Sequence, residues 1–201
     1  MVDVTRAAFL AVEAPRAVLG AHPGDFVEVH EQLSEPDRFL SGGCFRLTAD
    51  ATRALTREDV LNGNITNLQF LNGTLPRLNI RKYRLQLGQG LGRLMDTVTT
   101  TRASWNGHNS SCWRSHLVQV NGFDERMCYG GEDREFGERL MHCGIRPRQI
   151  RHRAICVHLW HDRDYVHAEG LRSNREIRKV TAERRARFTD HGIVKTDSPT
   201  A

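Results

Sequence analysis

The tightest constraint on this chain is the run over residues 121–144, NGFDERMCYGGEDREFGERLMHCG. Gly130 and Gly131 stand directly before Glu132 and Asp133, and glycine enters sharp or left-handed backbone without a side-chain penalty. Phe136, Leu140 and Met141 then recur at i, i+4 and i+5, the spacing of a buried helical stripe. A helix is therefore predicted to begin near Glu132. Its first turn would hold Glu132, Asp133 and Glu135, where carboxylates complement the free amides and the positive end of the dipole, and Gly144 would end it in the left-handed region. Two carboxylates are thus carried on a tight turn whose backbone another molecule can approach closely. Taken alone, the same residues also describe the acidic start of an ordinary surface helix.

A chain of 201 residues is long enough for one domain with a core of its own. No apolar run approaches bilayer length and the first residues lack the apolar centre of a secretory signal, so a cytoplasmic protein is expected. Five cysteines, Cys44, Cys112, Cys128, Cys143 and Cys156, are scattered, odd in number and without a C-x-x-C; neither a disulfide framework nor a cysteine zinc site is indicated. The formal net charge of +5 gathers late, in Arg146, Arg148, Arg151 and Arg153 and again in Arg172, Arg175, Arg178, Lys179, Arg184, Arg185 and Arg187. Such a tail is a solvated helix face or an attachment to an anionic surface. No nucleic-acid module signature accompanies it, so no specific nucleic-acid partner is expected.

Along the chain, residues 25–30 (DFVEVH) alternate and predict a strand, and residues 38–47 (RFLSGGCFRL) predict a strand, a kink and a second element. Thr56 and Asp59 have capping-box spacing. The glycines of residues 88–92 (GQGLG) lack the flanking features of a phosphate loop and predict a flexible loop over a site. Thr and Val at residues 97–101 favour a strand; residues 154–157 predict a buried strand ending at His158, and residues 172–188 a basic helix with Ile177, Val180 and Phe188 on its apolar side.

Several of these stretches occur together in an order that resembles the acceptor half of inverting, GT-A-fold glycosyltransferases of family two. The resemblance is carried by Gly107, Asn109, Ser111, Trp113 and Arg114, then by Asn121, Gly122, Phe123, Asp124 and Glu125, by Gly131, Glu132 and Asp133, by Arg139 and Leu140, by Gly144 and Ile145, and by His158, Leu159, Trp160 and His161. It spans residues 105–161 specifically and residues 38–47 more weakly. It implies an α/β, GT-A-like fold apparently lacking the N-terminal donor-binding strands, since neither an opening apolar strand nor an Asp-x-Asp lies upstream of Arg38. The expected organisation is an unassigned segment (1–37), an acceptor-side domain (38–165) and a basic helix and tail (166–201).

What the resemblance implies chemically is transfer of a sugar from a nucleotide-sugar donor to a carbohydrate or lipid-linked acceptor with inversion. Inversion needs one carboxylate to take the acceptor proton as the hydroxyl attacks. The resemblance assigns that base to Asp133, with Glu132 holding acceptor hydroxyls; adjacency of two carboxylates would raise the pKa of one of them. Gly130, Gly131, Asn109, Trp105 and Trp160 are the expected substrate-binding residues, the two tryptophans having a core reading beside a sugar-stacking one. A complete form is expected to use Mn²⁺ or Mg²⁺ on a separate Asp-x-Asp, with His158 as an additional ligand. Peripheral attachment to the inner face of the membrane is expected of the tail. The alternative is a non-catalytic carbohydrate- or partner-binding remnant.

Overall fold

The computed structural model describes residues 18–20, 26–74, 80–162 and 166–195. Among these residues, six strands and eight α-helices follow one another as β1 (Val18–Gly20), α1 (Phe26–Gln32), β2 (Arg38–Ser41), β3 (Gly43–Arg46), α2 (Ala49–Ala54), α3 (Arg57–Leu61), α4 (Leu68–Thr74), α5 (Gln89–Val98), β4 (Ser110–Ser111), α6 (Arg114–Gln119), α7 (Glu132–His142), β5 (Arg146–Gln149), β6 (Ile155–His158) and α8 (Ala168–Glu183), with 3₁₀ turns at Asn64–Thr66 and Ile80–Gln86. The strands form two three-stranded sheets of order β1-β6-β3 and β4-β2-β5. β2 runs parallel to β5, from Arg38 beside Arg146 to Ser41 beside Gln149, and β3 runs parallel to β6, from Gly43 beside Ile155 to Arg46 beside His158. β1 and β4 are antiparallel edges. Only Gly42 separates β2 from β3, so the chain steps there from one sheet to the other.

Helices cover both faces of β2. On one side Phe39 packs with Trp105, Phe136, Leu140 and Ile145, which seats α7; on the other Leu40 packs with Val29, Ile150 and Ala154, which seats α1. A further cluster of Phe45, Leu47, Ile65, Leu71, Leu85, Ile155 and Val157 joins β3 and β6 to the helices of residues 49–86. α8 lies along α7 through polar contacts: Thr181 donates to buried Glu135 at 2.9 Å, and Arg178 forks onto Glu138. The described parts of the first and last segments, 26–37 and 166–195, therefore pack onto the same body as the middle.

The acidic helix begins at Glu132 as predicted, with Phe136 and Leu140 fully buried and Gly144 at φ +87°. Met141, expected inside, is 40% exposed. The strand–kink–strand over residues 38–47 and the buried strand ending at His158 are present. Thr56 and Asp59 form a reciprocal capping box at the start of α3.

Other elements differ. DFVEVH is helical: Val29 and His30 turn inward on one face of α1, and six alternating residues are too few to separate the two periods. The expected loop of residues 88–92 is the start of α5. Gly92 and Asp96 face inward there, while Leu91, Leu94, Met95 and Val98 face outward. Polar anchors hold that helix down: Asp96 accepts from the His152 backbone at 2.9 Å and from Arg153 at 2.8 Å. Residues 99–107 form a loop rather than a strand, with only Ser110 and Ser111 pairing to β2. On α8 the buried positions are Asn174 and Thr181, and Val180 is exposed, as is Phe188 beyond the helix. Among the described residues no helix is long and apolar enough to cross a membrane.

Candidate active site

The loop of residues 99–109 is fastened across the step between the sheets. Ser41 Oγ donates to the Ser104 carbonyl at 2.7 Å, and Asn106 Nδ2 donates to Ser41 Oγ at 3.2 Å. Asn109 is the keystone. Its amide donates to the carbonyls of Gly43 at 2.7 Å and Ala154 at 3.0 Å, while its Oδ1 accepts from His30 Nε2 at 2.9 Å. Space is short at this step: a side chain on Gly42 would come within 2.2 Å of Asn109 Oδ1, and one on Gly43 within 2.2 Å of the Arg151 carbonyl. The expectation that Asn109 binds substrate is corrected here, because the residue is buried and both of its amide hydrogens are used inside the fold.

That loop walls a cleft of about 840 Å³ whose floor is the β2–β3 step. Arg46, Arg84, Arg102, Arg134 and Arg151 line it, drawn from five separate parts of the chain, and no aspartate or glutamate does among the described residues. Five guanidinium groups crowded in one lining give the cleft a cationic wall, and their fork geometry matches phosphate oxygens.

The acidic turn sits at the rim of this cleft. Gly107 N donates to Asp133 Oδ2 at 3.2 Å, and the next residue, Arg134, is in the lining. Glu132 is folded back on its own turn, its Oε2 accepting from Gly130 N at 2.6 Å. Gly130 and Gly131 have φ of +111° and +101°, so glycine is required for the turn itself, and α8 closes over it where a side chain on Gly130 would meet Leu171 at 2.3 Å.

Of the remaining expected residues, Trp105 is in the core. Its ring is 1% exposed, with centroids 4.7 Å from Phe136 and 5.6 Å from Phe39, so it has no face to offer a sugar. Trp160 is 45% exposed and its backbone N–H donates to Thr52 Oγ1 at 2.9 Å. His158 ends β6 half-buried, its ring stacked on His161 at 5.3 Å; burial pushes its pKa below the ordinary value while Cys44 pulls the other way. Glu132, Asp133, His158 and Trp160 are not among the residues lining the cleft; Asp133 reaches it through Gly107, and His158 lies toward Cys44.

Two cysteines were brought together that their sequence positions do not connect. Cys44 and Cys156 are cross-strand partners in β3 and β6, and His108 joins them from the loop. The Cys44 thiol is pulled down by a hydrogen bond from Cys156 and by His108, and the Cys156 thiol is pushed up by the same hydrogen bond and by burial. Mn²⁺ and Mg²⁺ prefer oxygen ligands, and among the described residues the lining carries no carboxylate; these residues do not fit such an ion.

An α/β body with a cationic cleft beside an acidic helix start is a GT-A-like arrangement. Residues 100–162 match the family model described as the N-terminal domain of galactosyltransferase. The match opens in the cleft loop and ends just after His161, taking in the acidic turn, β5 and β6. No curated protein matches the chain.

Proposed function

We propose that this protein is an inverting sugar transferase of the family-two kind, moving a hexose from a nucleotide-diphosphate donor to a carbohydrate or lipid-linked acceptor. The observation that carries the reading is the position of Asp133 at the rim of a cleft lined by five arginines, inside the segment that matches the galactosyltransferase N-terminal domain model. The arginines hold the donor diphosphate. Asp133 takes the acceptor hydroxyl proton as that oxygen bonds to the anomeric carbon from the opposite face. The bond from the anomeric carbon to the phosphate oxygen breaks, and its electron pair leaves with the diphosphate, stabilised by the guanidinium charges. Glu132 orients acceptor hydroxyls, and the exposed Trp160 ring offers an apolar face to a sugar. The basic tail attaches the protein to the anionic inner face of the membrane.

A second reading is a carbohydrate-binding remnant without catalysis, favoured by the engagement of Glu132 with Gly130 and by the lack of an oxygen-ligand set for a metal in the cleft. Transfer from a panel of nucleotide hexoses separates the two. With Asp133→Asn, which keeps size but removes the proton acceptor, turnover is expected to fall about 10²–10⁴-fold with donor affinity nearly unchanged. Glu132→Gln is expected to act on acceptor affinity. Near-normal turnover in Asp133→Asn removes Asp133 from the mechanism; ligand binding without transfer from any donor establishes the remnant.

A further inference from the structure

Among the described residues, one group of three potential metal ligands draws its side-chain atoms together: Cys44 Sγ, Cys156 Sγ and a ring nitrogen of His108, all within 4.8 Å of one another. Each is delivered by a different device. Cys44 and Cys156 are fixed by the parallel register of β3 with β6, and His108 by the loop that Asn109 pins beside them. The close approach of Arg151 to Gly43 and of Asn109 to Gly42 makes this step rigid. The ligand set is therefore preorganised rather than left on a mobile surface.

We propose that Cys44, Cys156 and His108 form a three-ligand site for Zn²⁺, with its fourth position open to the cleft. Two sulfurs and one imidazole nitrogen suit a borderline-soft ion that accepts tetrahedral geometry. Around such an ion, with Zn–S near 2.3 Å and Zn–N near 2.0 Å, the ligand atoms lie about 3.5–3.8 Å apart. Atoms already within 4.8 Å close that gap by small side-chain rotations. Cys44 and His108 are part of the cleft lining while Cys156 is fully buried, so the open position faces the cleft, where water or an oxygen of a phosphorylated ligand completes the tetrahedron.

Charge balance explains how a cation is accepted among arginines. The bound state holds one Zn²⁺, two thiolates and one neutral imidazole, and any proton still held by either sulfur is released on binding. The loaded centre carries no net charge, so it neither repels the guanidinium groups nor uses them up. The site stands independently of sugar transfer, because it rests on thiol and imidazole geometry alone.

The test uses the full chain purified under a thiol-free reductant. Zn²⁺ uptake is followed against a chromophoric chelator, Co²⁺ uptake by thiolate-to-cobalt charge-transfer absorption, and cysteine alkylation by mass spectrometry with and without metal. The expected result is one ion per chain, protection of Cys44 from alkylation, and a thiolate–cobalt band. Cys44→Ser and His108→Ala, checked for folding by circular dichroism, are each expected to weaken binding at least about tenfold. No stoichiometric uptake by the wild-type chain overturns the proposal, as does uptake unchanged in both folded variants. A Cys44–Cys156 disulfide that persists under the reductant overturns it as well. If neither variant folds, the wild-type stoichiometry, cobalt spectrum and alkylation pattern decide.

Discussion

His30 is fully buried on α1, and both ring nitrogens are engaged: Nε2 donates to Asn109 Oδ1 at 2.9 Å, and Nδ1 accepts from Ser111 Oγ at 2.7 Å. That arrangement satisfies the neutral ring, and burial disfavours the charged one. Burial accordingly lowers its pKa from 6.5 to about 4, against a smaller upward pull from Asn109. The folded-state value lies below the unfolded one, so the contribution of the neutral ring is complete above about pH 6.5 and is lost as pH falls toward about 4. The full loss is roughly 3 kcal/mol at most, at about 1.4 kcal/mol per pKa unit. Urea denaturation between pH 7 and pH 4 is expected to show this slope, and His30→Gln is expected to lack it. An unchanged slope in the variant would place the acid sensitivity elsewhere. Because Asn109 also fastens the cleft loop, protonation of His30 reaches the site through one intermediary residue.

At the scale of elements, Trp105 is the wedge between α7 and β2. Its ring lies edge-on to Phe136 and beside Phe39, so truncation removes the contact that seats the acidic helix. Trp105→Ala is expected to cost about 3–5 kcal/mol of stability, read as a lower denaturation midpoint, whereas Trp160→Ala, on an exposed ring, should leave the midpoint nearly unchanged. Equal effects of the two substitutions would contradict the core assignment. α7 was legible in the sequence because a glycine pair, an acidic first turn and a buried stripe all indicate the same helix. β2, β3 and β6 were legible from short apolar runs and the glycines between them. α5 was not, since its apolar residues face outward and it is anchored through Asp96, a pattern that periodicity reads with the wrong side in. The cleft was illegible for a different reason. Its arginines stand at positions 46, 84, 102, 134 and 151, and the Cys44–Cys156 pair exists only through strand register, which single-sequence spacing does not encode.

For the molecule as a whole, the formal charge of +5 is distributed differently from what the late arginines suggest. Within α8, Glu169, Glu176 and Glu183 interleave with Arg172, Arg175, Arg178 and Lys179, and Arg178 is tied to Glu138. The exposed Arg184, Arg185 and Arg187 that follow carry most of the tail's uncompensated charge. Membrane attachment through these groups, at about 1 kcal/mol per basic residue near an anionic surface, predicts flotation with vesicles containing phosphatidylserine and little with neutral vesicles. Loss of the difference at high salt would fit an electrostatic contact; equal flotation with both vesicle types would return the tail to a solvated helix end.

The pairing of Arg38 with Arg146 and of Gly43 with Ile155 also sets an order in time. β2 and β3 are made early on the ribosome, but their parallel neighbours are synthesised only after the whole helical middle of the chain. Non-local pairings of this kind form slowly, because a long loop must close before any contact compensates for it. Until β5 and β6 emerge, the two early strands have an unpaired edge and neither cleft wall has its partner. The arginine-lined cleft and the thiol pair therefore cannot be completed before β5 and β6 have been made, whereas the contact of Gly107 with Asp133 joins residues that both precede them.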